Sequence, residues 1–400
     1  MSTDPLEDTV AGQYRRWVYP EPIMDLPAWQ RDNWQWFDPS HSYRMLWPDR
    51  DQAPDLDILV AGCGTNQAAV LAHGNPQARV VAVDVSQPSL DHHAYLKDTY
   101  ALGNLELRLL PIEDAGSLGR DFDLIVSTGV LHHMADPDAG MAALAGCLRP
   151  DGVVAIMLYA RYGRAGVEML QAAFRDMALT QDESSLEVVK AALAALPADH
   201  PIRNYMGIAP DLHFDAGIVD TFLHGRDRSY TVDDCLDLVA SAGLVFVDWF
   251  LKAPYYPPVG TDDPFLSSVA ELPRDRQWAV MERVNSRNAC HFFTACRADR
   301  PEAGYRIDFA SPGFVDYVPS LRYRCQVSGT SLSRSDWTVP LDDAQADALR
   351  RMDGVRTIGE VLAASGIDEQ YGRDLFQSLW QLDFIAIELP RPSPAASVCP

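Results

Sequence analysis

Short apolar stretches alternate with amphipathic segments through the middle of the chain. The apolar stretches predict strands at 56–61, 79–83, 105–110, 122–127 and 153–159, with helices between them. This rhythm predicts an α/β fold with a doubly wound, mainly parallel sheet. Two more strands, at 244–250 and 290–297, bring the predicted sheet to seven, and one helix is predicted between them near 265–284.

The alternation breaks after residue 159 for about 80 residues. Val167, Leu170, Phe174 and Met177 recur there at helical spacing, and a second helix is predicted over 186–196. We interpret the region of about 163–228 as a helical insertion. Thr231 is the predicted N-cap of the helix that follows.

The last hundred residues form a separate predicted module. Helices at 341–352, 357–364 and 369–382, followed by a strand at 384–389, predict a winged-helix-like arrangement. Its third helix region carries Glu369, Asp374 and Asp383 against Arg373, the wrong sign for a DNA groove. Dimerisation or substrate docking is expected instead, and the tail from Arg391 to Pro400 is predicted to be disordered.

Two closely spaced glycines follow the first apolar strand. Gly62 and Gly64 allow backbone N–H groups to come close to a ligand. Asp84 ends the second strand, where doubly wound folds place the carboxylate that binds a ribose diol. The pattern predicts an adenosine-containing cofactor. A dinucleotide fingerprint has a third glycine at the position that Gln67 occupies here.

Further motifs follow in order: Val130-Leu131-His132-His133-Met134, the pair Asp136-Pro137, and a Pro150-Asp151-Gly152 turn. With these motifs the chain resembles the class I S-adenosylmethionine-dependent methyltransferases, in particular a bacterial branch with an Ala-Gly-Cys-Gly-Thr loop. The resemblance spans about residues 14–297. It implies a Rossmann-like fold, S-adenosylmethionine as cofactor and methyl transfer as activity.

The resemblance also implies cofactor contacts. Asp84 would accept from the ribose hydroxyls, Val85 and Ile112 would enclose the adenine, and Glu113 or Asp114 would accept from its amino group. Val60 stands where many such enzymes carry an acid, so the methionine amino group is expected to contact Gln67 or the N-terminal segment. The full predicted set is Ala61, Gly62, Cys63, Gly64, Gln67, Asp84, Val85, Ser86, Ile112, Glu113, Thr128 and Gly129.

Two adjacent histidines are candidate catalytic residues. His132 and His133 follow the fourth strand, whose carboxyl end faces the ligand crevice in open parallel sheets. An imidazole with an unperturbed pKa of about 6.5 suits a base for an acceptor that arrives protonated. The alternative is that both residues cap the next helix. Methyl displacement requires no metal, and none is predicted.

Candidate acceptor contacts come from three regions. The aromatic segment at 13–50 is either a cap over the ligands or a set of rings packed on outer helices. The loop at 211–228 is either an acceptor pocket or a hydrogen-bonded lid, and its spacings match no common metal site. The predicted acceptor-binding residues are Tyr14, Tyr19, Tyr159, Arg161, His213, His224 and Tyr255.

Composition narrows the functional classes. A net charge of -23 argues against nucleic acid as substrate, since such binding depends on lysine and arginine. The first residues lack signal-peptide features, and the longest apolar run, 152–160, is too short to cross a bilayer. The seven cysteines form no paired motif, so reduced thiols and a cytoplasmic location without membrane partners are expected.

The sequence therefore predicts a cap at 1–50, an S-adenosylmethionine-binding domain at 51–300 and an accessory domain at 301–400. The predicted function is methyl transfer to an oxygen or nitrogen atom of a small metabolite or a peptide side chain. A catalytically silent scaffold protein of the same fold is the alternative, and a nucleotide-sugar or nicotinamide enzyme is a weaker one. A homodimer is also expected.

Overall fold

The structure is a computed structural model that describes residues 5–335 and 337–391, apart from the side chain of Glu7. Of the tail predicted to be disordered, residues 392–400 lie outside this range. The chain forms two compact units. The first comprises Met1–Trp36, Pro54–Trp249 and Trp278–Asp299, and the second comprises Phe37–Ala53, Phe250–Gln277 and Arg300–Pro400.

A seven-stranded sheet forms the centre of the first unit. Its strands are β1 (Asp57–Ala61), β2 (Arg79–Asp84), β3 (Leu105–Leu109), β4 (Phe122–Thr128), β5 (Leu148–Tyr159), β6 (Leu244–Trp249) and β7 (Cys290–Arg297). They lie in the order β3-β2-β1-β4-β5-β7-β6, and within this sheet β7 runs antiparallel to both of its neighbours while the other pairs are parallel. This topology confirms the predicted Rossmann-like α/β fold with its doubly wound, mainly parallel sheet.

The start of β5 differs from its prediction. The strand begins at Leu148 and runs through the Pro150-Asp151-Gly152 sequence that we predicted to be a turn. The sheet accommodates these residues as an irregularity, because the pairing with β4 shifts register between Phe122 and Leu124.

Helices cover the sheet and build the insertion. The four helices of the insertion share a buried core that contains Val167, Leu170 and Phe174, as their helical spacing predicted. Met177, the fourth residue of that pattern, is exposed just after the end of the first of these helices. Thr231 caps the next helix as predicted, within a capping box that includes Asp234. The helices that lie wholly in this unit are α1 (Thr9–Arg16), α2 (Leu26–Asp32), α4 (Gln67–Gly74), α5 (Gln87–Thr99), α6 (Pro137–Ala145), α7 (Ala165–Asp176), α8 (Glu183–Ala195), α9 (Ile202–Met206), α10 (Asp215–Phe222) and α11 (Val232–Ser241).

The second unit contains the predicted C-terminal helices and two small sheets. Strands β8 (Val318–Leu321) and β12 (Ile385–Glu388) pair antiparallel, and β9 (Gln326–Ser328), β10 (Ser331–Arg334) and β11 (Trp337–Pro340) form a three-stranded sheet. Its helices are α3 (Pro39–Leu46), α12 (Pro264–Ala270), α14 (Asp343–Arg351), α15 (Ile358–Ser365) and α16 (Glu369–Gln381). The winged-helix-like character of this unit stays a prediction.

Two boundaries differ from the sequence prediction. The single helix predicted near 265–284 is two helices, α12 and α13 (Arg274–Val284), because Pro273 interrupts the run. Residues 37–50, the last part of the predicted cap, group with the second unit together with residues 51–53. Arg44 forms a 2.6 Å ion pair with Glu388 there, and the N–H of Leu389 donates to the carbonyl of Pro48 over 2.7 Å.

Within residues 5–335 and 337–391, no helix combines the length and apolar character that crossing a bilayer requires.

Candidate active site

A cavity of about 720 Å³ opens at the carboxyl ends of β1, β2 and β4 in the first unit. Its volume falls within the range of about 300–1,000 Å³ that is typical of small-ligand sites. All the predicted cofactor residues except Ala61 and Ser86 contribute to its wall. The motifs identified in sequence therefore meet at one place.

The glycine loop needs the absence of a side chain. Gly62 and Gly64 both adopt positive φ angles, 74° and 52°. A Cβ atom at Gly62 would lie only 2.4 Å from a methyl carbon of Val130. Because a larger residue would be both strained and obstructed, this loop is fixed as glycine, and its backbone borders the cavity directly.

Asp84 connects the glycine loop to the end of β2. One carboxylate oxygen accepts the backbone N–H of Gly64 and the other that of Ser86, both over 2.8 Å. Burial raises the pKa of Asp84 to about 6. Each carboxylate oxygen has more than one acceptor position, so further hydrogen bonds from ribose hydroxyls are compatible with this arrangement. The glycine cradle and this acid together fit an adenosine-containing cofactor.

The N-terminal segment forms another part of the wall. Tyr14, Tyr19 and Pro20 line the cavity together with Trp29, Trp34 and Trp36. The hydroxyl of Thr65, in the glycine loop, donates to the carbonyl of Pro20 over 2.7 Å. These aromatic side chains therefore reach the cavity rather than only the outer helices, as a cap requires.

His133 lines the cavity and has one unpaired ring nitrogen. Its Nδ1 lies 2.9 Å from the carbonyl oxygen of Arg226. Because a carbonyl only accepts, Nδ1 carries the proton of the neutral ring and Nε2 carries the lone pair. Nε2 is buried and has no hydrogen-bond partner among the described residues. A wall residue with a free acceptor nitrogen is suited to accept a proton.

His132 occupies a different environment from its neighbour. It is 1% exposed, does not line the cavity and stacks on the ring of Tyr159 with centroids 3.9 Å apart. Burial lowers the pKa of His132 well below its usual value. Of the two predicted catalytic histidines, the structure therefore brings only His133 to the cavity.

His224 lies directly behind His133. The two rings stack with centroids 3.8 Å apart and planes 21° from parallel. Nδ1 of His224 accepts the backbone N–H of Arg226 over 3.0 Å, and its Nε2 lies 3.5 Å from the hydroxyl of Tyr14. This pattern places the proton of the neutral ring on Nε2.

A buried carboxylate completes the group. Asp220 is 2% exposed and accepts hydrogen bonds from the hydroxyls of Tyr14 and Tyr159, at 2.9 and 3.3 Å, and from the amide of Gln13 at 3.3 Å. Burial raises its pKa. The sequence analysis did not assign Asp220 a role, although it stands in the histidine-rich run that was singled out.

The same side chains do not match a metal site. Potential ligand atoms of His133, Asp220 and His224 lie within 4.8 Å of one another. A metal binds in the plane of an imidazole at about 2.0–2.1 Å, and two nearly parallel rings stacked 3.8 Å apart do not direct lone pairs to a shared point. Nδ1 of His224 is also already an acceptor. The arrangement is a hydrogen-bonded network.

The remaining predicted acceptor residues separate into two groups. Tyr14, Tyr19 and Tyr159 line the cavity, whereas Arg161, His213, His224 and Tyr255 do not. Arg161 donates instead to the carbonyl of Ser229 and lies 3.6 Å from Asp234. His213 is exposed in a 3-10 helix, and Tyr255 belongs to the second unit. Wall residues that the sequence analysis did not identify as such include Asp8, Tyr205, Asp211 and Arg226.

Comparisons with known proteins are consistent with this geometry. Residues 59–154 match the family model of a methyltransferase domain. The uncharacterized protein syc1184_c of Synechococcus sp. is 26% identical over 91% of this chain and 90% of its own length. A trans-aconitate 2-methyltransferase of Deinococcus radiodurans is 31% identical over 36% of this chain and 55% of that protein.

A solved structure shares the fold over most of the chain. PKMT2 from Rickettsia typhi, determined in complex with AdoHcy, superposes with a TM-score of 0.61 at 14% sequence identity. The match covers 89% of this chain and 76% of that chain.

Proposed function

We propose that the chain is a class I S-adenosylmethionine-dependent methyltransferase that methylates an oxygen or nitrogen atom of a small metabolite or a peptide side chain. The methyltransferase-domain match over residues 59–154 and the fold shared with PKMT2 support this proposal. His133 is the proposed base. The observation that carries this proposal is the unpaired Nε2 of His133 in the same cavity wall as Asp84 and the glycine loop.

Several residues of the cavity wall suit the proposed cofactor. Gly62 and Gly64 allow the backbone to approach it, and Asp84 supplies acceptors for ribose hydroxyls. When bound, S-adenosylmethionine supplies a methyl carbon made electrophilic by its bond to a positively charged sulfur. The protein has to position the acceptor in line with that carbon and to exclude water.

Nε2 of His133 would take up the proton that the methyl-accepting molecule releases. The hydrogen bond from Nδ1 to the carbonyl of Arg226 keeps the lone pair on Nε2. Once protonated, the ring is stabilised by two nearby carboxylates. Its Nδ1 lies 3.8 Å from a carboxylate oxygen of Asp227, and a carboxylate oxygen of Asp220 lies within 4.8 Å of a ring nitrogen. General base catalysis of this kind typically contributes about 10²–10⁴-fold.

The cavity wall supports the proposed acceptor class. Tyrosine and tryptophan side chains from the N-terminal segment surround the space with apolar rings and a few hydroxyls. Such walls suit a small organic molecule or a single side chain better than an extended polymer. The net charge of -23 opposes a nucleic acid acceptor. The cytoplasmic location, the lack of membrane partners and the homodimer stay predictions.

A labelled-donor screen tests the proposal. Purified protein is incubated with methyl-tritiated S-adenosylmethionine and with separate small-molecule and peptide fractions of a cell extract. We expect labelled product and S-adenosylhomocysteine with the wild type and neither with Asp84→Ala. If the wild type binds S-adenosylhomocysteine but labels nothing in any fraction, the scaffold alternative replaces the enzyme.

A further inference from the structure

The carboxyl end of β1, next to the glycine loop, carries Val60 and Ala61 and so has no acid for the donor's ammonium group. Val60 stands in β1 and is fully buried with the rest of that strand. The methionine part of the cofactor carries a positively charged amino group that needs an acceptor. Another part of the chain has to provide it, and the following argument rests on the donor site proposed above.

Four carboxylates line the cavity within the described part of the chain, namely Asp8, Asp84, Glu113 and Asp211. Asp8 forms an ion pair with Arg226 through both oxygens, at 2.6 and 3.2 Å. Asp84 is committed to the ribose end and to two backbone N–H groups. Glu113 follows β3, on the side proposed for adenine.

Asp211 is the carboxylate of this set that has spare capacity. Its Oδ2 accepts the hydroxyl of Tyr19 over 2.8 Å, while its Oδ1 accepts no hydrogen bond from any residue in the described ranges. Asp211 comes from the insertion, in the 3-10 helix Pro210–His213. An acid with one free oxygen at the cavity is available to a cationic ligand group.

The contacts of Tyr19 place Asp211 on the glycine-loop side of the cavity. Tyr19 precedes Pro20, whose Cδ lies 3.0 Å from the position that a Cβ of Gly64 would take. The carbonyl of Pro20 also accepts the hydroxyl of Thr65. Asp211 is thus connected through one tyrosine to the loop that approaches the methionine end.

Gln67 is suited to a different group of the same ligand. Its side-chain oxygen accepts the hydroxyl of Thr128 over 2.7 Å. Its amide N–H groups can only donate, so they suit the carboxylate of the methionine end. The sequence left Gln67 and the N-terminal segment as alternatives for contacting the methionine amino group. The hydrogen bond from Thr128 to Gln67 favours the N-terminal segment, together with Asp211, which Tyr19 contacts.

We propose that Asp211, positioned by Tyr19, is the counter-ion of the methionine ammonium group of S-adenosylmethionine. The insertion thereby replaces the acid that is missing at Val60. Donor binding then engages the insertion and the N-terminal segment as well as the sheet, so the elements that enclose the acceptor are held together by the donor.

Two ligands that differ at the methionine end test this assignment. S-adenosylhomocysteine carries the ammonium group, whereas 5′-methylthioadenosine lacks the whole amino-acid end. We measure both dissociation constants by calorimetry on the wild type, on Asp211→Asn and on Asp215→Asn. Asp215 is a matched control in the same insertion, where it pairs with Lys190 at 2.8 Å and does not line the cavity.

We expect Asp211→Asn to weaken the binding of S-adenosylhomocysteine by about 10- to 100-fold, because a hydrogen bond to a charged group is lost. Binding of 5′-methylthioadenosine should not change, and Asp215→Asn should change neither. Equal weakening of both ligands, or no weakening of either, overturns the role of Asp211. A wild type that binds neither ligand refutes the donor site itself.

A second variant protects the test against misfolding of the first. Tyr19→Phe removes the hydroxyl that orients Asp211 but leaves the carboxylate in place. Tyr19→Phe should weaken the binding of S-adenosylhomocysteine less than Asp211→Asn does, and it should leave the binding of 5′-methylthioadenosine unchanged. A Tyr19→Phe protein with wild-type affinity for S-adenosylhomocysteine contradicts the positioning role.

Discussion

The backbone carbonyl oxygen of Arg226 lies 2.9 Å from Nδ1 of His133. The backbone N–H of the same residue donates to Nδ1 of His224 over 3.0 Å. Because one group only accepts and the other only donates, a single peptide residue holds two stacked histidines in opposite neutral tautomers. The side chain of Arg226 pairs with Asp8, which fixes this loop to the N-terminal segment.

Opposite tautomers can be observed directly. In protein labelled with ¹⁵N-histidine, near neutral pH, we expect the proton on Nδ1 of His133 and on Nε2 of His224. Two-bond ¹⁵N–¹H correlation spectra distinguish these states. Assignment uses the spectra of His133→Gln and His224→Gln. Finding both rings in the same tautomer would falsify the hydrogen-bond pattern on which the base assignment depends.

The two adjacent histidines should contribute unequally to turnover. With an acceptor found by the labelled-donor screen, His133→Gln should lower kcat by about 10²–10⁴-fold, because it removes the base. Its affinity for S-adenosylhomocysteine should be retained. His132→Phe should keep most activity, since His132 is buried against Tyr159 and lies outside the cavity wall.

The comparison of these two variants also discriminates between roles. A capping role for both histidines, the alternative that the sequence left open, predicts similar and modest losses. An equal, large loss in both variants contradicts the assignment of His133 as the sole base.

The sheet was predictable from sequence because buried parallel strands are continuous apolar runs. All seven strands stand where those runs predicted them, and Asp84 ends β2 as expected. The start of β5 was not predictable, since Pro150-Asp151-Gly152 has turn composition but lies within the strand. The pairing with β4 passes from Leu148 to Val153, and the residues between them form an irregularity of the strand.

The site was only partly predictable, because much of it is built from contacts distant in sequence. The glycine loop and Asp84 carry local signatures. Asp220 meets Tyr14 across 206 positions, and no local pattern marks that pair. Arg161 followed a strand end and was expected at the site, but neighbouring acceptors, Ser229 and Asp234, engage it elsewhere.

The glycine loop should tolerate no added methyl group. Gly62→Ala would place a Cβ 2.4 Å from Val130 in a positive-φ conformation, so we expect lost stability and S-adenosylhomocysteine binding reduced below detection. Gly243→Ala is the matched control, because Gly243 has a φ of 71° but nothing within 4 Å of the added carbon. Urea unfolding and calorimetry measure both effects.

The Gly243→Ala control separates the cost of a positive φ angle from the cost of the steric clash with Val130. Positive φ alone costs about 1 kcal/mol when glycine is replaced, so Gly243→Ala should lose about that much and bind normally. Similar losses of stability in the two variants would show that Val130 moves aside and that the loop is less tightly packed than the structure indicates.

Adenosine binding should depend on the ionisation of Asp84. Burial raises the pKa of Asp84 to about 6, so the neutral acid predominates below that pH. A protonated carboxyl loses acceptor capacity for ribose hydroxyls, and binding of 5′-methylthioadenosine should weaken by about tenfold from pH 8 to pH 5. Asp84→Asn should bind weakly with little dependence on pH. A flat wild-type profile contradicts the contact.

The stability of the fold should also decrease as the pH falls, because of the buried side chain of His93. His93 is fully buried on α5, and burial lowers its pKa to about 4. The unfolded chain takes up a proton near its ordinary pKa of about 6.5, whereas the folded chain does not until about pH 4. The unfolded state therefore binds more protons in this window, and the folded state loses stability as the pH falls.

The size of this effect follows from the shift. Relative to the wild type, His93→Leu should gain about 2 kcal/mol in free energy of unfolding when the pH drops from 7.5 to 5, because only the wild type carries the titrating ring. Leu96→Ala is a control at a buried position of the same helix that does not titrate. Leu96→Ala should lower the free energy of unfolding by about 2–5 kcal/mol, because it leaves a cavity in the core. This loss should be the same at pH 7.5 and at pH 5. If the gap for His93→Leu were equally constant, His93 would have to gain its proton in the folded state as readily as in the unfolded chain.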